Sequence, residues 1–416
     1  MKPKLLTTLQ DYSLKLFAAD ALAGITVAMV ALPLSIAIAI ASGAQPAAGL
    51  VTAIIGGLLI SALGGSRVQI GGPTGAFIVV VYGVVEQYGF DGLLLATVMA
   101  GVILVVAAIA RAGKLIALIP EAVIEGFTIG IALIIAIGQL KDLFGLTIAK
   151  LPADFFKAVP ALWDARHSAN LAAAAIGIAS IVAIALVRRR AGSIVVIGLA
   201  SLAVALLLLP VETIHSRFGN LPNGLPFPSL PPVSLTRLSE LLPSALVIAF
   251  LAGVESLLSA IVADRMIGAA HRSNAELLAQ GAANIASPLF GGLPATGAIA
   301  RTATNVRAGG RTPVAGIVHA LAILAFVVFA APLTGYLAMP ALAALLLVTA
   351  WSMSEPHRWR ERMRARPADR FLLFLTMILT VVSSLTVAIA VGVAVGLAQR
   401  LMRRDVEPAK WTPPDR

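Results

Sequence analysis

What most constrains this chain is a succession of apolar stretches that no soluble protein could hide. Ala21 to Ala41 carries no charged residue, and neither does Ile176 to Val187. Only 12% of the 416 residues are charged and 59% are hydrophobic, whereas roughly 25% of a soluble domain is charged. That supply cannot cover a water-facing surface, so the sequence predicts an integral membrane protein. The stretches do not alternate in polarity, which excludes a β-barrel. A membrane helix takes roughly 20 residues, leaving room for about 12 to 14 of them.

Two short stretches interrupt this pattern in matching ways. One is Gly71-Gly72-Pro73-Thr74-Gly75-Ala76-Phe77, the other Gly291-Gly292-Leu293-Pro294-Ala295-Thr296-Gly297-Ala298-Ile299. Gly and Pro at this density start or end a helix. Each stretch is predicted to be an extended stub leading into a half-helix whose first-turn N–H groups point at a ligand. Matched interruptions in two halves of a membrane chain mark a transporter binding site. Thr74, Gly75, Ala76, Phe77, Thr296, Gly297 and Ala298 are therefore candidate substrate-lining residues.

In chain order the pattern predicts segments 1 (Asp20–Ala41), 2 (Pro46–Leu63), 3 (Gln69–Tyr88), 4 (Gly92–Ala110) and 5 (Leu115–Leu140). A polar amphipathic stretch, Lys141–Ser168 with Trp163, is expected along the interface. Segments 6 (Ala169–Val187) and 7 (Ile194–Leu209) precede a Pro/Gly-rich loop, Pro210–Pro232. Segments 8 (Leu241–Val262), 9 (Asn274–Leu289), 10 (Pro294–Arg307), 11 (Pro313–Ala331) and 12 (Leu337–Trp351) follow. After the basic run Arg358–Arg370, the block Phe371–Leu397 reads as two short spans, 13 and 14, turning near Ser383-Ser384.

Charge supports this count. Lys2, Lys4, Arg67, Arg111, Lys114, Arg188 to Arg190, Arg265, Arg272, Arg307, Arg311, the Arg358–Arg370 cluster, Arg403 and Arg404 fall at the termini or after even-numbered segments. The positive-inside rule makes that side cytoplasmic, with both termini cytoplasmic in a cell inner (plasma) membrane. Seven segments per half is an odd number, so the second half is inverted relative to the first. The expected division is 1–209 for the first repeat, 210–236 for the connecting loop, 237–402 for the inverted repeat and 403–416 for a cytoplasmic tail.

Arg301 is expected about two turns into half-helix 10. An arginine at membrane depth is costly and needs a partner or a water-filled cavity. It is read as the fixed positive charge of an anion site, reinforced by the two helix N-termini. The other reading is a structural ion pair. Glu255 is the acid in the interior of segment 8, and Ser259, four residues on, shares its face. A carboxyl in low dielectric takes up and releases a proton near neutral pH, so Glu255 with Ser259 is the candidate proton-coupling pair. The competing reading makes Glu255 a permanent partner of Arg301. Glu121 and Glu125, four apart near the start of segment 5, are expected to be structural, and Glu86 interfacial.

The excess positive charge of +11 falls in short membrane-flanking loops and gives no nucleic-acid surface. There is no cysteine. His167, His215, His271, His319 and His357 are scattered without metal-ligand spacing, and there is no P-loop. No enzyme, metal site or cofactor is expected, and the N-terminus has no signal-peptide pattern.

The run Pro294-Ala295-Thr296-Gly297-Ala298-Ile299-Ala300-Arg301-Thr302, with Gly309-Gly310-Arg311-Thr312-Pro313-Val314-Ala315-Gly316, Pro46-Ala47-Ala48-Gly49-Leu50 and Pro120-Glu121 to Gly130, resembles the membrane domain of SulP (sulfate permease) anion transporters. The resemblance spans essentially the whole chain. It implies an all-α membrane fold of fourteen segments in two inverted seven-segment repeats. It also implies a core domain (approximately 20–111 and 241–331), a gate domain (approximately 115–209 and 337–402), and substrate between half-helices 3 and 10. It places Arg301 at the anion and Glu255 at the acidic coupling position. Where sodium-coupled members have Asp with added hydroxyls, this chain has Glu255 and Ile299, which tilts coupling toward H+ rather than Na+. Family members often have Pro-Gln-Gly and an aromatic along segment 1; here Pro33 is followed by Leu34-Ser35, and Ile38 stands further on. Ser35 and Ile38 are therefore further pocket candidates, with room for an organic anion. The implied function is proton-coupled symport of a small anion (a dicarboxylate such as fumarate, sulfate or bicarbonate) by an elevator-like movement. The alternatives are an exchanger or channel, or sodium-coupled bicarbonate transport. A homodimer is expected, and the family's usual cytoplasmic STAS domain would follow segment 14, where this chain stops.

Overall fold

The computed structural model describes residues 2–10, 12–113, 120–149, 151–187, 192–383 and 385–402. Lys114, Arg188 to Arg190, Ser384, Arg403, Arg404 and the tail 403–416 lie outside the described residues.

The chain is helical almost throughout. The first half comprises α1 (Lys4–Thr8), α2 (Leu14–Ala41), α3 (Pro46–Val51) continued by a π-turn (Thr52–Gly56) into α4 (Gly57–Leu63), β1 (Gly71–Gly72), a 3₁₀ turn (Gly75–Phe77), α5 (Ile78–Ile109), α6 (Glu121–Leu143), α7 (Phe155–Asp164), α8 (Leu171–Leu186) and α9 (Gly192–Leu206). After α10 (Ile214–Phe218) come α11 (Leu235–Ile267), α12 (Ser273–Leu289), β2 (Thr296–Gly297), α13 (Ile299–Ala308), α14 (Val314–Thr334), α15 (Met339–Met353), α16 (Trp359–Arg364), α17 (Pro367–Val382) and α18 (Leu385–Met402).

Local chemistry sets most boundaries. Ser13, Asn170 and Ser234 cap α2, α8 and α11 by accepting from first-turn N–H groups, and Pro46 opens α3. Segment 8 thus begins at Leu235 rather than Leu241, because Ser234 supplies the cap. Segment 13 begins at Pro367, inside the basic run, with that proline in the first turn. Gly89, at φ 73°, breaks α5 between expected segments 3 and 4; at a positive φ glycine carries no Cβ penalty. The turn between α17 and α18 falls at Ser383.

Among the described residues, six helical stretches are long and apolar enough to cross a membrane alone: Leu14–Ala41, Pro46–Leu63, Gly75–Ile109, Glu121–Leu143, Leu235–Ile267 and Val314–Thr334. The pair Phe155–Ser168 and Leu171–Leu186, bent by 119°, counts as a seventh if taken as one span. The chain is a multi-pass integral membrane protein. The bend turns the amphipathic α7 across the end of α8, with Trp163 exposed and Arg166 stacked 4.6 Å from its ring. The other expected segments are present as shorter helices in the expected order.

The helices pack in two groups. In one, α5 lies against α11 and α12, α14 against α2 and α4, and α13 against α11 and α2. In the other, α6 lies against α15, α17 and α18, and α8 against α15 and α9. Inside the first group, β1 and β2 pair antiparallel, Gly71 opposite Gly297 and Gly72 opposite Thr296. The pairing makes the two half-helices leave a common point in opposite directions, as an inverted repeat requires.

Candidate anion site

The site lies where the half-helices begin. Ala298 donates its N–H to the Ile70 carbonyl at 2.9 Å, locking the second stretch to the first. The first turns, at Gly75–Ala76 and Ile299–Arg301, therefore approach each other with N–H groups that have no partner within their helices. Their partial positive charges add at one place.

Arg301 projects from α13 into this junction and is 3% exposed. It sits in the first turn, not two turns in, because Pro294 to Ala298 is extended and α13 starts only at Ile299. Its Nη2 donates to Ser35 Oγ at 3.1 Å and to the Pro73 carbonyl at 3.0 Å. These partners come from α2 and the first stretch, so one side chain ties three elements together. Gly72, at φ 149°, is required here: a Cβ on it would run into Nη1 of Arg301. Among the described residues no carboxylate lies within ion-pair distance of Arg301, so its positive charge acts as a field at the helix junction.

Glu255 lies on α11 and is partly exposed, unlike its neighbours Val254 and Ser256. Thr74 Oγ1 donates to its Oε2 at 2.9 Å. Thr74 thus connects the coupling candidate to the first half-helix. Gly75 faces the second helix group: a Cβ there would lie 3.1 Å from Met353 Sδ and 3.7 Å from Ile135 Cδ1. Ile78 and Ile135 border a cavity of about 480 Å³ that extends between α2, α5 and α6 to Tyr82, Gln139, Lys141 and Arg217.

The remaining candidates divide. Ser35 belongs to the site through Arg301. Ile38 and Phe77 are buried in the apolar core, and Ala76 is half-buried against it. Thr296 and Gly297 contribute backbone to the strand pair; the Thr296 hydroxyl donates to the Ala252 carbonyl at 2.9 Å, fastening β2 to α11. Ser259 does not reach Glu255. Its hydroxyl shares a hydrogen bond with Thr302 Oγ1 at 3.2 Å, because α13 packs on that part of α11. Glu121 and Glu125 are structural: Arg358 bridges them at 3.0 and 3.1 Å, and Arg362 reaches Glu125 at 3.2 Å.

The sequence reading passed over a buried acid. Glu276 on α12 is fully buried. Its Oε2 accepts from the N–H groups of Gly65 and Ser66 at 2.9 and 3.2 Å. Its Oε1 accepts from Ser256 Oγ and Gln280 Nε2, each at 3.0 Å. Gln69 Nε2 joins through Ser256 Oγ at 2.7 Å. This carboxylate pins the turn that launches the first half-helix. The available signal was the spacing Glu276, Gln280, Asn284, a polar stripe every fourth residue on one helix face.

Residues 17–398 match the sulfate permease family. The chain belongs to that family. It is 43% identical over 373 residues to YvdB of Bacillus subtilis (strain 168), whose sulfate-transporter name is itself provisional, covering 88% of this chain and 70% of that protein. It is 30% identical over 349 residues to the bicarbonate transporter BicA of Picosynechococcus sp. (strain ATCC 27264 / PCC 7002 / PR-6), covering 78% of this chain but only 60% of BicA. The solved transmembrane domain of a cyanobacterial BicA superposes with a TM-score of 0.82 at 27% identity, covering 92% of this chain and 98% of that domain. The murine Slc26a9 anion transporter in its inward-facing state gives 0.86 at 19% identity, covering 96% and 71%, a likeness of fold. The family and these relatives are transporters, and the chain is not an enzyme.

Proposed function

We propose that this chain is a secondary-active, proton-coupled symporter of a small anion. The observation that carries the reading is the buried Arg301 guanidinium, set between two opposed helix N-termini and one side chain away from the Thr74–Glu255 pair. The names of the relatives favour sulfate and bicarbonate as first substrates to try, with a dicarboxylate such as fumarate next. In this reading the anion sits over the first turns of the 3₁₀–α5 and α13 half-helices. Arg301 supplies fixed positive charge, and Thr74 senses both the substrate and Glu255. Protonation of Glu255 removes its negative charge as the anion enters, so the loaded site carries less net charge through the low-dielectric interior.

The first packing group corresponds to a core domain and the second to a gate domain. An elevator-like movement of core against gate carries the site across, and the cavity beside Ile78 and Ile135 is its access path. The protein works in the inner (plasma) membrane as a homodimer with both termini cytoplasmic. It takes H+ rather than Na+ and needs no resident cofactor.

The test is uptake into proteoliposomes of sulfate, bicarbonate, chloride, fumarate and oxalate, with and without a proton or sodium gradient. Glu255→Gln is expected to abolish stimulation by an inward proton gradient while anion counterflow persists. Arg301→Ala is expected to raise the anion KM by about tenfold or more, the equivalent of about 1.4 kcal/mol. Uptake by the parent protein that ignores pH and runs only against a counter-anion assigns it as an exchanger instead.

A further inference from the structure

His319 takes no part in the site described above, yet its position is unusual. It lies on α14, is fully buried, and neither ring nitrogen has a hydrogen-bond partner among the described residues. A polar group left unpaired in such an interior is costly. Arg301 shows the complementary pattern. Its Nη2 is bonded to Ser35 and Pro73, while its buried Nη1 has no partner among the described residues.

The two groups approach one patch of backbone. It is made by β1 and by the π-turn that runs into α4. A Cβ built on Gly57 would lie 3.1 Å from the Gly71 carbonyl oxygen and 3.8 Å from His319 Cδ2. A Cβ built on Gly72, the next residue, would strike Nη1 of Arg301, with the Ala53 Cα 3.6 Å away. Ala53 and Gly57 occupy neighbouring turns of segment 2 and, with Gly71 and Gly72, present nothing larger than a methyl group, while Ile60 packs against Gly71. A donor and an acceptor border the same stretch of backbone, and the Gly71 carbonyl, near the same Gly57 position as the His319 ring, is a further acceptor there. That is the partner set a single buried water needs.

We propose that His319 is a positioning residue for Arg301. Its ring offers a nitrogen lone pair that takes, through one bridging water, the hydrogen bond of Nη1. The guanidinium is then held at both ends, by Ser35 and Pro73 on Nη2 and by the His319 relay on Nη1. Its plane is fixed relative to the helix N-termini. Without the relay the guanidinium is anchored at one nitrogen and free to turn, and the anion binds a less ordered charge. This inference rests on Arg301 being the anion's fixed charge.

The experiment is a double-mutant cycle on the full chain, with His319→Leu and His319→Gln each made alone and with Arg301→Lys. Anion KM, maximal uptake rate and melting temperature are read for every variant. His319→Leu is expected to raise KM by about tenfold while changing the maximal rate less than about twofold. His319→Gln, whose amide oxygen can accept from the same water, is expected to keep KM within about threefold. On the Arg301→Lys background His319→Leu is expected to add nothing. A histidine that merely fills space predicts the reverse, because an apolar replacement removes an unpaired polar group and leaves KM alone; that result overturns the proposal. Should His319→Leu fail to accumulate, His319→Met is the second apolar variant. If Arg301→Lys and Arg301→Ala leave KM unchanged, the anion-site reading falls. The pairing is then judged on melting temperature, where non-additive shifts at 301 and 319 uphold it and additive shifts overturn it.

Discussion

Replacing Glu276 by Gln is the sharpest test of how the first half-helix is held. The substitution keeps shape and removes a charge. The carboxylate accepts four hydrogen bonds, from Gly65 N–H, Ser66 N–H, Ser256 Oγ and Gln280 Nε2, between 2.9 and 3.2 Å. A glutamine has one acceptor oxygen and one donor nitrogen. If its oxygen faces the two backbone N–H groups, its NH₂ meets the Gln280 amide, another donor. It also meets a Ser256 hydroxyl already accepting from Gln69 and Gln280 at 2.7 Å. If the amide is flipped, its NH₂ faces the N–H groups of Gly65 and Ser66. Either orientation orphans about two buried donors, at about 1–3 kcal/mol each, so the loss is about 2–6 kcal/mol. That is a large part of a typical folding free energy of about 5–15 kcal/mol. Melting in detergent, followed by the monodisperse fraction surviving heating, should show a drop of several degrees or loss of folded protein. Glu255→Gln is the control, because an amide oxygen can still accept from Thr74 and its melting temperature should stay near the parent's. A Glu276→Gln protein that melts with the parent would refute the view that this carboxylate anchors the turn.

Two further predictions concern the termini and the linkers. Burial works against the Arg358 charge, but the hydrogen bond to Glu121 and the fields of Glu125 and Glu355 outweigh it and hold the guanidinium above its ordinary range. Arg358→Gln leaves Glu121 without its cation while Arg362 still holds Glu125, and should cost about 1 kcal/mol in thermal stability; an unchanged melting curve would remove the ion cluster from the account. Tyr12 donates to Asp20 at 3.1 Å, and burial followed by the Asp20 charge pushes its phenol up to about 12 from 10.0. A raised value means the fold favours the neutral phenol, so this contribution is complete below pH 10 and disappears as pH rises through 12. The melting-temperature gap between the parent and Tyr12→Phe should be constant from pH 7 to 9 and close above pH 10; a gap that widens with pH contradicts the assignment.

The sequence by itself determined the environment, the order of the helices and the two interruptions. These are local matters. An apolar run such as Ala21–Ala41 has one tolerable solvent. Gly and Pro at 71–75 and 291–297 break a helix whatever surrounds them, and Ser234 or Pro46 starts one from its own chemistry. That the stretches pair as antiparallel strands, Gly71 opposite Gly297, came only with the tertiary structure. What only the tertiary structure decided is which polar groups meet. Ser259 shares a face with Glu255, yet α13 crosses there and takes its hydroxyl to Thr302, leaving Glu255 to Thr74. Arg301 finds Ser35 and Pro73, residues far away in sequence. Glu276 gets its role only because α12 carries it against the Gly65–Ser66 turn. Inside a membrane a polar side chain must find its partner within the protein, and the choice depends on which helices become neighbours, a property that no segment carries alone.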